Sequence, residues 1–321
     1  MIAFGPLPSR RLGRSLGVNN VPLKTCSYSC VYCQVGRTRR LRIMRERFLD
    51  PMKVLAEVRC KSEAVKQAGD RIDYITFVAE GEPTLDVGLS LKIELLKHLG
   101  HKIAVISNGS LLWKEDIRQD LAKADLVSLK VDSVREDAWR AVNRPHKDLK
   151  LDAILGGLRK FAGEYRGRLV TQTMLVAGIN DNPDHVQEVS RFVASLKPAT
   201  AYLSVPTKPP AEMNVMAPDE SVVKACFKAF ARELPQADIL AGAESGAFFY
   251  SGDLEADLLG ITAVHPMREH DVRGMVAKAN ADWSVVEKLL AKGRLSETVR
   301  GGEKFYARCA SDKTDDRIGA E

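Results

Sequence analysis

The sequence has little of what membrane and secreted proteins usually need. No apolar run in its 321 residues approaches the length of a membrane span. The segment Met1–Pro6 lacks the long apolar core of a signal peptide. Cysteine is limited to six residues, and Cys60, Cys226 and Cys309 stand far apart, which argues against a disulfide framework. We therefore expect a cytoplasmic protein in a reducing compartment, with no membrane partner.

Histidine is scarce, and the chain has no strong charge imbalance. The six histidines lie at positions 98, 101, 146, 185, 265 and 270. The net charge of +6 does not by itself require a nucleic-acid partner. A hydrophobic content of 45% and a charged content of 28% are typical of a globular protein. The length allows one large domain and one small domain.

The three remaining cysteines, Cys26, Cys30 and Cys33, are the most informative feature of the chain. Thiolates are soft ligands, so a tight group of them indicates a metal or cluster site. A structural zinc site needs four ligands, and no histidine lies near this loop to supply the fourth. Three thiolates on a [4Fe–4S] cubane leave one iron open to a substrate. The alternatives are a zinc knuckle with a distant fourth ligand and a chance group of thiols.

The C-x-x-x-C-x-x-C spacing, with Tyr32 just before the last cysteine, resembles the radical S-adenosylmethionine (radical SAM) superfamily. The resemblance implies a [4Fe–4S] cluster on Cys26, Cys30 and Cys33, with S-adenosylmethionine (SAM) as the second cofactor. It also implies reductive cleavage of SAM to a 5′-deoxyadenosyl radical that takes hydrogen from a substrate. A reducing flavodoxin or ferredoxin is the electron donor expected for such an enzyme.

Strand-like and helix-like patterns alternate after the cysteines, which predicts a parallel sheet with helices outside. The predicted strands are 73–78, 102–106, 126–131, 169–176 and 201–205, and the predicted helices are 52–67, 91–99, 113–124, 151–165, 183–195 and 219–234. Asn182 is the predicted N-cap of the helix that Pro183 begins, and Asp50 with Pro51 likewise opens the helix 52–67. About six strand–helix units fit before residue 240. We therefore predict an α/β fold with a partial (βα)₆ barrel, which the resemblance also implies.

In such barrels the functional residues lie at the carboxyl ends of the strands. Gly81-Glu82-Pro83 resembles a superfamily motif whose backbone carbonyls receive the amino group of the methionine moiety. Ser107 and Asn108 resemble an element near the ribose and the methionine carboxylate. The candidate cofactor-binding residues are Tyr32, Gly81, Glu82, Pro83, Ser107, Asn108, Lys130, Asp132, Gln172 and Pro206.

Lys130, Asp132 and Pro206 rest on their positions near strand ends, whereas Gln172 lies in the middle of its predicted strand. Lys130 matches the lysine of an Asp-x-Lys element that holds the ligand in some relatives, and Asp132 is added because strand alternation places it on the same face. Gln172 and Pro206 are placed beside the adenine by analogy, and Tyr32 is the expected aromatic neighbour of that ring. Ordinary turns, packing and a charged pair at the barrel mouth remain alternatives. The following loop, 143–146, could reach the same mouth.

The predicted domains are a barrel with its cluster loop over 1–240, a small domain over 253–308 and a disordered tail over 309–321. The small domain has three predicted helices, 254–264, 268–277 and 282–290, followed by a hairpin, which is the order of a winged helix. Its third helix carries charges of both signs, so strong DNA binding is disfavoured. The domain could dock a protein partner or RNA, or pack on the barrel.

The stretches 4–19 and 34–38 resemble iron–sulfur oxidoreductases loosely related to the wyosine-base synthases that act on tRNA. Arginines near the cysteines suit an anionic substrate, RNA or a nucleotide, although internal pairs with Glu46 and Asp50 are an alternative. These arginines are Arg10, Arg11, Arg14, Arg37, Arg39, Arg40, Arg42, Arg45 and Arg47. The function predicted is radical SAM chemistry on an RNA base or nucleotide. The alternatives are a protein- or peptide-modifying radical SAM enzyme and a non-enzymatic, redox-sensing nucleic-acid-binding protein.

Overall fold

The computed structural model describes residues 1–78, 80–240 and 248–309. Its strands are β1 (Ala3–Ser9), β2 (Gly13–Val18), β3 (Thr25–Cys26), β4 (Arg40–Leu41), β5 (Tyr74–Phe77), β6 (Lys102–Ser107), β7 (Leu126–Lys130), β8 (Arg168–Met174), β9 (Thr200–Ser204), β10 (Ala237–Leu240), β11 (Met267–Arg268), β12 (Leu295–Arg300) and β13 (Glu303–Arg308). Its α-helices are α1 (Pro51–Gln67), α2 (Leu89–Lys97), α3 (Glu115–Leu121), α4 (Glu136–Asn143), α5 (Leu151–Glu164), α6 (Pro183–Ser195), α7 (Glu220–Glu233), α8 (Leu254–Val264), α9 (Glu269–Lys278) and α10 (Ser284–Ala291).

These elements form two compact units, and each unit is built from separate segments of the chain. The first unit contains the described residues of 1–23, 46–103 and 248–309, and the second contains those of 24–45 and 104–240. The cysteine loop therefore belongs to the second unit, together with β7, β8 and β9. Among the described residues, no helix combines the length and apolar composition that a membrane crossing requires.

In the first unit, β1 and β2 form an antiparallel hairpin, and β5 pairs in parallel with β2. The sequence analysis predicts no strand before the cysteines, because the prolines and glycines of this stretch break any alternating pattern. Burial of Phe4 and Leu16 nevertheless anchors the hairpin. A side chain at Gly17 would place its Cβ 2.2 Å from an atom of the Phe4 ring, so the ring needs a glycine there. Asp50 caps α1, as predicted, by accepting hydrogen bonds from the backbone of Met52 and Lys53.

The predicted three helices and hairpin after residue 253 are present in the first unit as α8, α9, α10, β12 and β13. The short strand β11 joins the hairpin in the order β11-β13-β12. Leu258, Met267, Val272, Val286 and Tyr306 form part of the buried core between these elements. The winged-helix description and the domain boundaries stay predictions. Of the predicted disordered tail, 310–321 lies outside the described residues.

The second unit contains the parallel strands β6, β7, β8, β9 and β10, in that order. Helix α6 begins as predicted, with Asn182 accepting a hydrogen bond from the Asp184 backbone and Pro183 in the first turn. Helix α4 and strand β10 are among the elements that the sequence analysis does not predict. Helix α4 ends at Asn143, the first residue of the predicted loop 143–146, and β10 is a partly exposed strand without an apolar run.

Candidate active site

The cysteine loop starts at the end of β3, where Cys26 lies, and continues through a tight turn. The Cys33 backbone N–H donates to the Cys30 carbonyl at 3.1 Å. The loop is attached to the end of α4, because the Ser29 and Val31 backbone N–H groups donate to α4 carbonyls at 3.0 and 2.9 Å. The local turn therefore sets the spacing of the cysteines, and α4 holds the turn in place.

All three cysteine sulfurs receive N–H donors from within this unit, and those of Cys33 come from the backbone of Val35 and Gly36. The Cys26 Sγ lies 3.5 Å from the backbone nitrogen of Tyr28 and 3.6 Å from Nδ2 of Asn108. The Cys30 Sγ lies 3.4 Å from Nδ2 of Asn143. N–H groups that donate to sulfur favour the thiolate, which is the form that binds metal.

Burial works against the thiolates. It raises the pKa of the Cys30 thiol to about 12, and the negative charge of Asp132 adds to the rise. The hydrogen bond from Asn143 and the positive charge of Lys130 oppose it. Burial likewise raises the pKa of Cys33. A metal centre would supply the positive charge that deprotonates these thiols, because metal binding displaces their protons.

The donor set fits an iron–sulfur cluster better than a single ion. Among the described residues, no group of three histidine, cysteine, aspartate or glutamate side chains could hold one metal ion. Thiolates on a cubane bind separate irons, so they lie farther apart than ligands of one ion. Three soft thiolates without imidazole or carboxylate therefore suit a [4Fe–4S] cluster with an open iron.

Asp132 joins several elements beside the cysteine loop. Its carboxylate accepts hydrogen bonds from the Tyr32 hydroxyl, from Nδ2 of Asn143 at 2.7 Å and from the Met174 backbone at 2.9 Å. The Lys130 ammonium lies 4.0 Å from the carboxylate and 4.5 Å from the Tyr32 ring centroid. Burial, and then the Asp132 charge, raises the pKa of Tyr32, so its hydroxyl stays a neutral donor. The predicted residues Tyr32, Lys130 and Asp132 thus lie together here, but the Asp132 carboxylate accepts its hydrogen bonds from protein groups.

The predicted residues Ser107 and Asn108 lie at the carboxyl end of β6, in a turn that continues to Ser110. The Asn108 side chain turns toward the cysteine loop, where its Nδ2 donates to Ser27 Oγ at 2.9 Å. Ser27 Oγ also lies 2.6 Å from Ser110 Oγ. Contact of this turn with a ribose stays a prediction.

Lys130, Gln172 and Pro206 lie at the carboxyl ends of three neighbouring strands. Lys130 on β7 is directly paired with Gln172 on β8, and Gln172 Nε2 donates to Ser204 Oγ on β9 at 2.9 Å. Pro206 follows β9 and is buried. The parallel order therefore brings these predicted residues to one edge of the sheet.

The Gly81-Glu82-Pro83 turn belongs to the first unit. The Glu82 carboxylate is buried and accepts hydrogen bonds from the backbone and hydroxyl of Thr84, at 3.1 and 2.6 Å. Nδ2 of Asn20 donates to the Pro83 carbonyl at 3.1 Å. The turn is thus internally fixed, and its carbonyl contacts with SAM stay a prediction.

Some of the arginines near the cysteines form internal ion pairs. Arg37 and Arg144 both pair with Glu212, a residue that the sequence analysis did not identify. Arg45 pairs with Asp116 and Asp120 instead of supplying an open cationic rim. Glu212 also contacts the cysteine loop directly, because its backbone N–H donates to the Val31 carbonyl at 3.1 Å. No sequence pattern marked Glu212, since its partners are distant in the chain.

Comparisons with known proteins give the family of this chain. Residues 20–193 match the model of the radical SAM superfamily. The chain is 42% identical over 309 residues to the UPF0026 protein MJ1312 of Methanocaldococcus jannaschii, covering 96% of both proteins. It is 20% identical to a probable dual-specificity RNA methyltransferase RlmN 2 of Protochlamydia amoebophila, covering 62% of this chain and 55% of the other. A structure of TYW1 with a lysine–pyruvate adduct matches with a TM-score of 0.54 at 17% identity, covering 68% of this chain and 73% of that one.

The likeness to TYW1, a wyosine synthase, confirms the predicted fold class, an α/β partial barrel. The prediction of an enzyme is also confirmed, so the non-enzymatic alternative is set aside. The cofactors of the superfamily are a [4Fe–4S] cluster and SAM, as predicted. With more than half of its length matched by the family model, the chain belongs to the radical SAM superfamily.

Proposed function

We propose that this enzyme binds a [4Fe–4S] cluster through Cys26, Cys30 and Cys33 and acts on an RNA base or nucleotide. With cluster and SAM bound, reductive cleavage of SAM would supply a 5′-deoxyadenosyl radical that removes hydrogen from the substrate. The observation that carries the proposal is the single loop with three cysteines, held by α4 and supplied with N–H donors to sulfur.

Apolar residues of the second unit support radical chemistry by excluding water from the loop. Val31, Val142, Val176 and Val215 form a buried cluster, and Tyr32 packs against it. Val31 lies between Cys30 and Cys33, so this cluster backs the loop directly. A dry environment limits side reactions of a reactive intermediate with solvent.

The strand ends supply the groups that we assign to SAM. The Lys130 ammonium has three donors, and its 4.0 Å separation from Asp132 leaves capacity for a ligand carboxylate. We assign the Tyr32 ring to the neighbourhood of the adenine, as predicted. We assign the remaining positions as predicted, namely Gly81, Glu82, Pro83, Ser107, Asn108, Asp132, Gln172 and Pro206. Asp132 and Asn108 would act through their neighbours, because their side chains bind protein groups.

An RNA or nucleotide substrate is supported by the relative named as an RNA methyltransferase and by the likeness to a wyosine synthase. Arg39 and Arg40 are exposed in the cysteine-loop segment, where phosphate groups could pair with them. A reducing flavodoxin or ferredoxin would supply the electron. A protein partner for the residues after 253 remains a separate prediction.

The test uses anaerobically purified full-length protein, reconstituted with iron and sulfide. After reduction with dithionite and addition of SAM, chromatography should show 5′-deoxyadenosine. Cys30→Ala should lose both cluster and product, whereas Cys226→Ala, a buried cysteine outside the loop, should keep both. Full iron and sulfide content in the Cys30→Ala variant would refute the ligand assignment.

The substrate class is tested separately with the same reconstituted enzyme. A tRNA pool should raise the rate of 5′-deoxyadenosine formation. A pool of peptides of comparable concentration is the control. Stimulation by peptides and not by RNA would refute the RNA proposal and favour the protein-modifying alternative.

A further inference from the structure

Two asparagines from different elements each donate toward a cysteine sulfur and a nearby oxygen. Nδ2 of Asn108, after β6, lies 3.6 Å from Cys26 Sγ and 2.9 Å from Ser27 Oγ. Nδ2 of Asn143, at the end of α4, lies 3.4 Å from Cys30 Sγ, 2.7 Å from Asp132 Oδ2 and 3.5 Å from the Tyr32 hydroxyl oxygen. An amide nitrogen carries two hydrogens, so each side chain has one for its short bond to oxygen and one to direct at sulfur, which in Asn143 the Tyr32 hydroxyl shares at the longer distance.

The surroundings fix the orientation of both amides. Asn108 Oδ1 accepts the Ser110 backbone N–H at 2.9 Å, so its NH₂ group must face the loop. Asn143 faces the Asp132 carboxylate, which accepts hydrogen bonds and leaves only the NH₂ orientation favourable. Both asparagines are buried, at 9% and 2% exposure, which strengthens these bonds and limits rotation.

Neither asparagine is required simply to hold a sulfur in place, because the cysteines are already positioned by backbone bonds. The Cys33 N–H bonds to Cys30, and Val31 bonds to α4. The two amides add the positive end of a fixed dipole at the sulfurs of Cys26 and Cys30. Asn143 also places that dipole between Cys30 and the nearby carboxylate of Asp132, whose charge acts in the opposite direction.

We propose that Asn108 and Asn143 are positioning residues that raise the reduction potential of the cluster bound by Cys26 and Cys30. This inference rests on the proposed ligand assignment. N–H groups that donate to cluster sulfurs stabilise the more electron-rich, reduced state. Reduction must precede SAM cleavage, so the two asparagines would make the cluster accessible to a biological electron donor.

The test is a potentiometric titration of reconstituted full-length Asn108→Ala and Asn143→Ala, without SAM, followed by EPR of the reduced cluster. Each variant should keep the wild-type iron and sulfide content. At a fixed potential, we expect the ratio of reduced to oxidised cluster to fall about tenfold, which is about 59 mV toward more negative potential for one electron. The shift should be larger in the double variant.

Two matched controls remove buried hydrogen bonds without removing an N–H donor to sulfur. Ser110→Ala loses the 2.6 Å contact with Ser27 in the turn that contains Asn108. Asn180→Ala loses bonds to the backbone oxygens of Asp132 and Met174, both at 2.8 Å. The midpoint potentials of both controls should match that of the wild type.

An unchanged potential in asparagine variants that carry a full cluster would overturn the inference. Loss of the cluster from a folded asparagine variant would also overturn it, since the residue would then be needed for assembly. If an alanine variant does not fold, the serine variant at that position is titrated, because serine keeps a polar group but lacks the amide. The ligand assignment fails by a different result, which is cluster retention in Cys30→Ala.

Discussion

Replacing Lys92 by methionine removes one partner of an ion pair that is completely buried. Lys92 pairs with Asp86 in the first unit, and both side chains have 0% exposure. Asp86 also accepts hydrogen bonds from Nδ2 of Asn20 at 3.1 Å and from the Gly88 backbone at 2.8 Å. Methionine fills a similar volume, so the change removes the charge without leaving a large cavity.

The cost follows from the charge that is left behind. Removing one partner of a buried pair destabilises a protein by about 3–5 kcal/mol, because the other charge loses its compensation. Asp86 keeps two N–H donors, so we expect the lower end, about 3 kcal/mol. The double variant Lys92→Met/Asp86→Asn carries no unpaired charge. Its free energy of unfolding should recover, with a coupling between the two sites of about 2 kcal/mol.

Urea-induced unfolding of the metal-free full-length chain, followed by circular dichroism, measures these free energies. The control is Lys224→Met, which removes an exposed pair with Glu220 and should leave the unfolding midpoint unchanged. The reasoning fails if Lys92→Met unfolds at the wild-type midpoint with the same slope. It also fails if the double variant is less stable than Lys92→Met, because an unpaired buried carboxylate would then not be the cause.

Three further predictions follow from individual residues. Gly17→Ala should destabilise the protein by about 1–3 kcal/mol, because the new methyl group overpacks against Phe4. Gly156→Ala, in α5 with nothing near its Cβ position, should stabilise the protein by about 0.5–1 kcal/mol. Equal urea unfolding midpoints for the two variants would contradict this. Burial, and then the charge of Arg135, lowers the pKa of His185, so the folded state binds a proton at His185 less readily than the unfolded state does. Stability should therefore fall as the pH drops below about 6.5. His185→Gln should flatten the plot of melting temperature against pH in this range, and an unchanged slope would argue against the role of His185. In the metal-free chain, iodoacetamide at pH 8 should alkylate Cys30 far more slowly than the exposed Cys60, because the pKa of Cys30 is raised to about 12. Equal labelling of the two cysteines by mass spectrometry would contradict this and show that the loop is open to solvent.

Local features of the sequence predicted much of the fold. The N-caps Asp50 and Asn182 are in place because a cap depends on residues two or three positions away. The alternation of apolar strands and amphipathic helices predicted most elements of the second unit for the same reason. The strands β1 and β2 were missed because their burial depends on neighbours such as β5, which come much later in the chain.

In the candidate site, too, the features that depend on nearby residues were predicted. The spacing of Cys26, Cys30 and Cys33 is a local property, and it was enough to predict the superfamily and its cofactors. The side chains of Asp132 and Asn108 bind Asn143, Ser27 and other protein groups, and their roles toward SAM stay predictions. Polar residues at a strand end can face a ligand or a neighbouring loop, and sequence alone does not distinguish the two.

The sequence by itself determined the cysteine loop, the alternation of elements and the positions of the helix caps, because each depends on residues close together in the chain. Tertiary structure decided which donors reach the sulfurs. Asn108 and Asn143 are 82 and 113 positions from the cysteines that they contact. It also decided that Lys92 and Asp86 are fully buried together. Hydrogen bonds and burial of this kind depend on which elements pack side by side, and no local pattern contains that information.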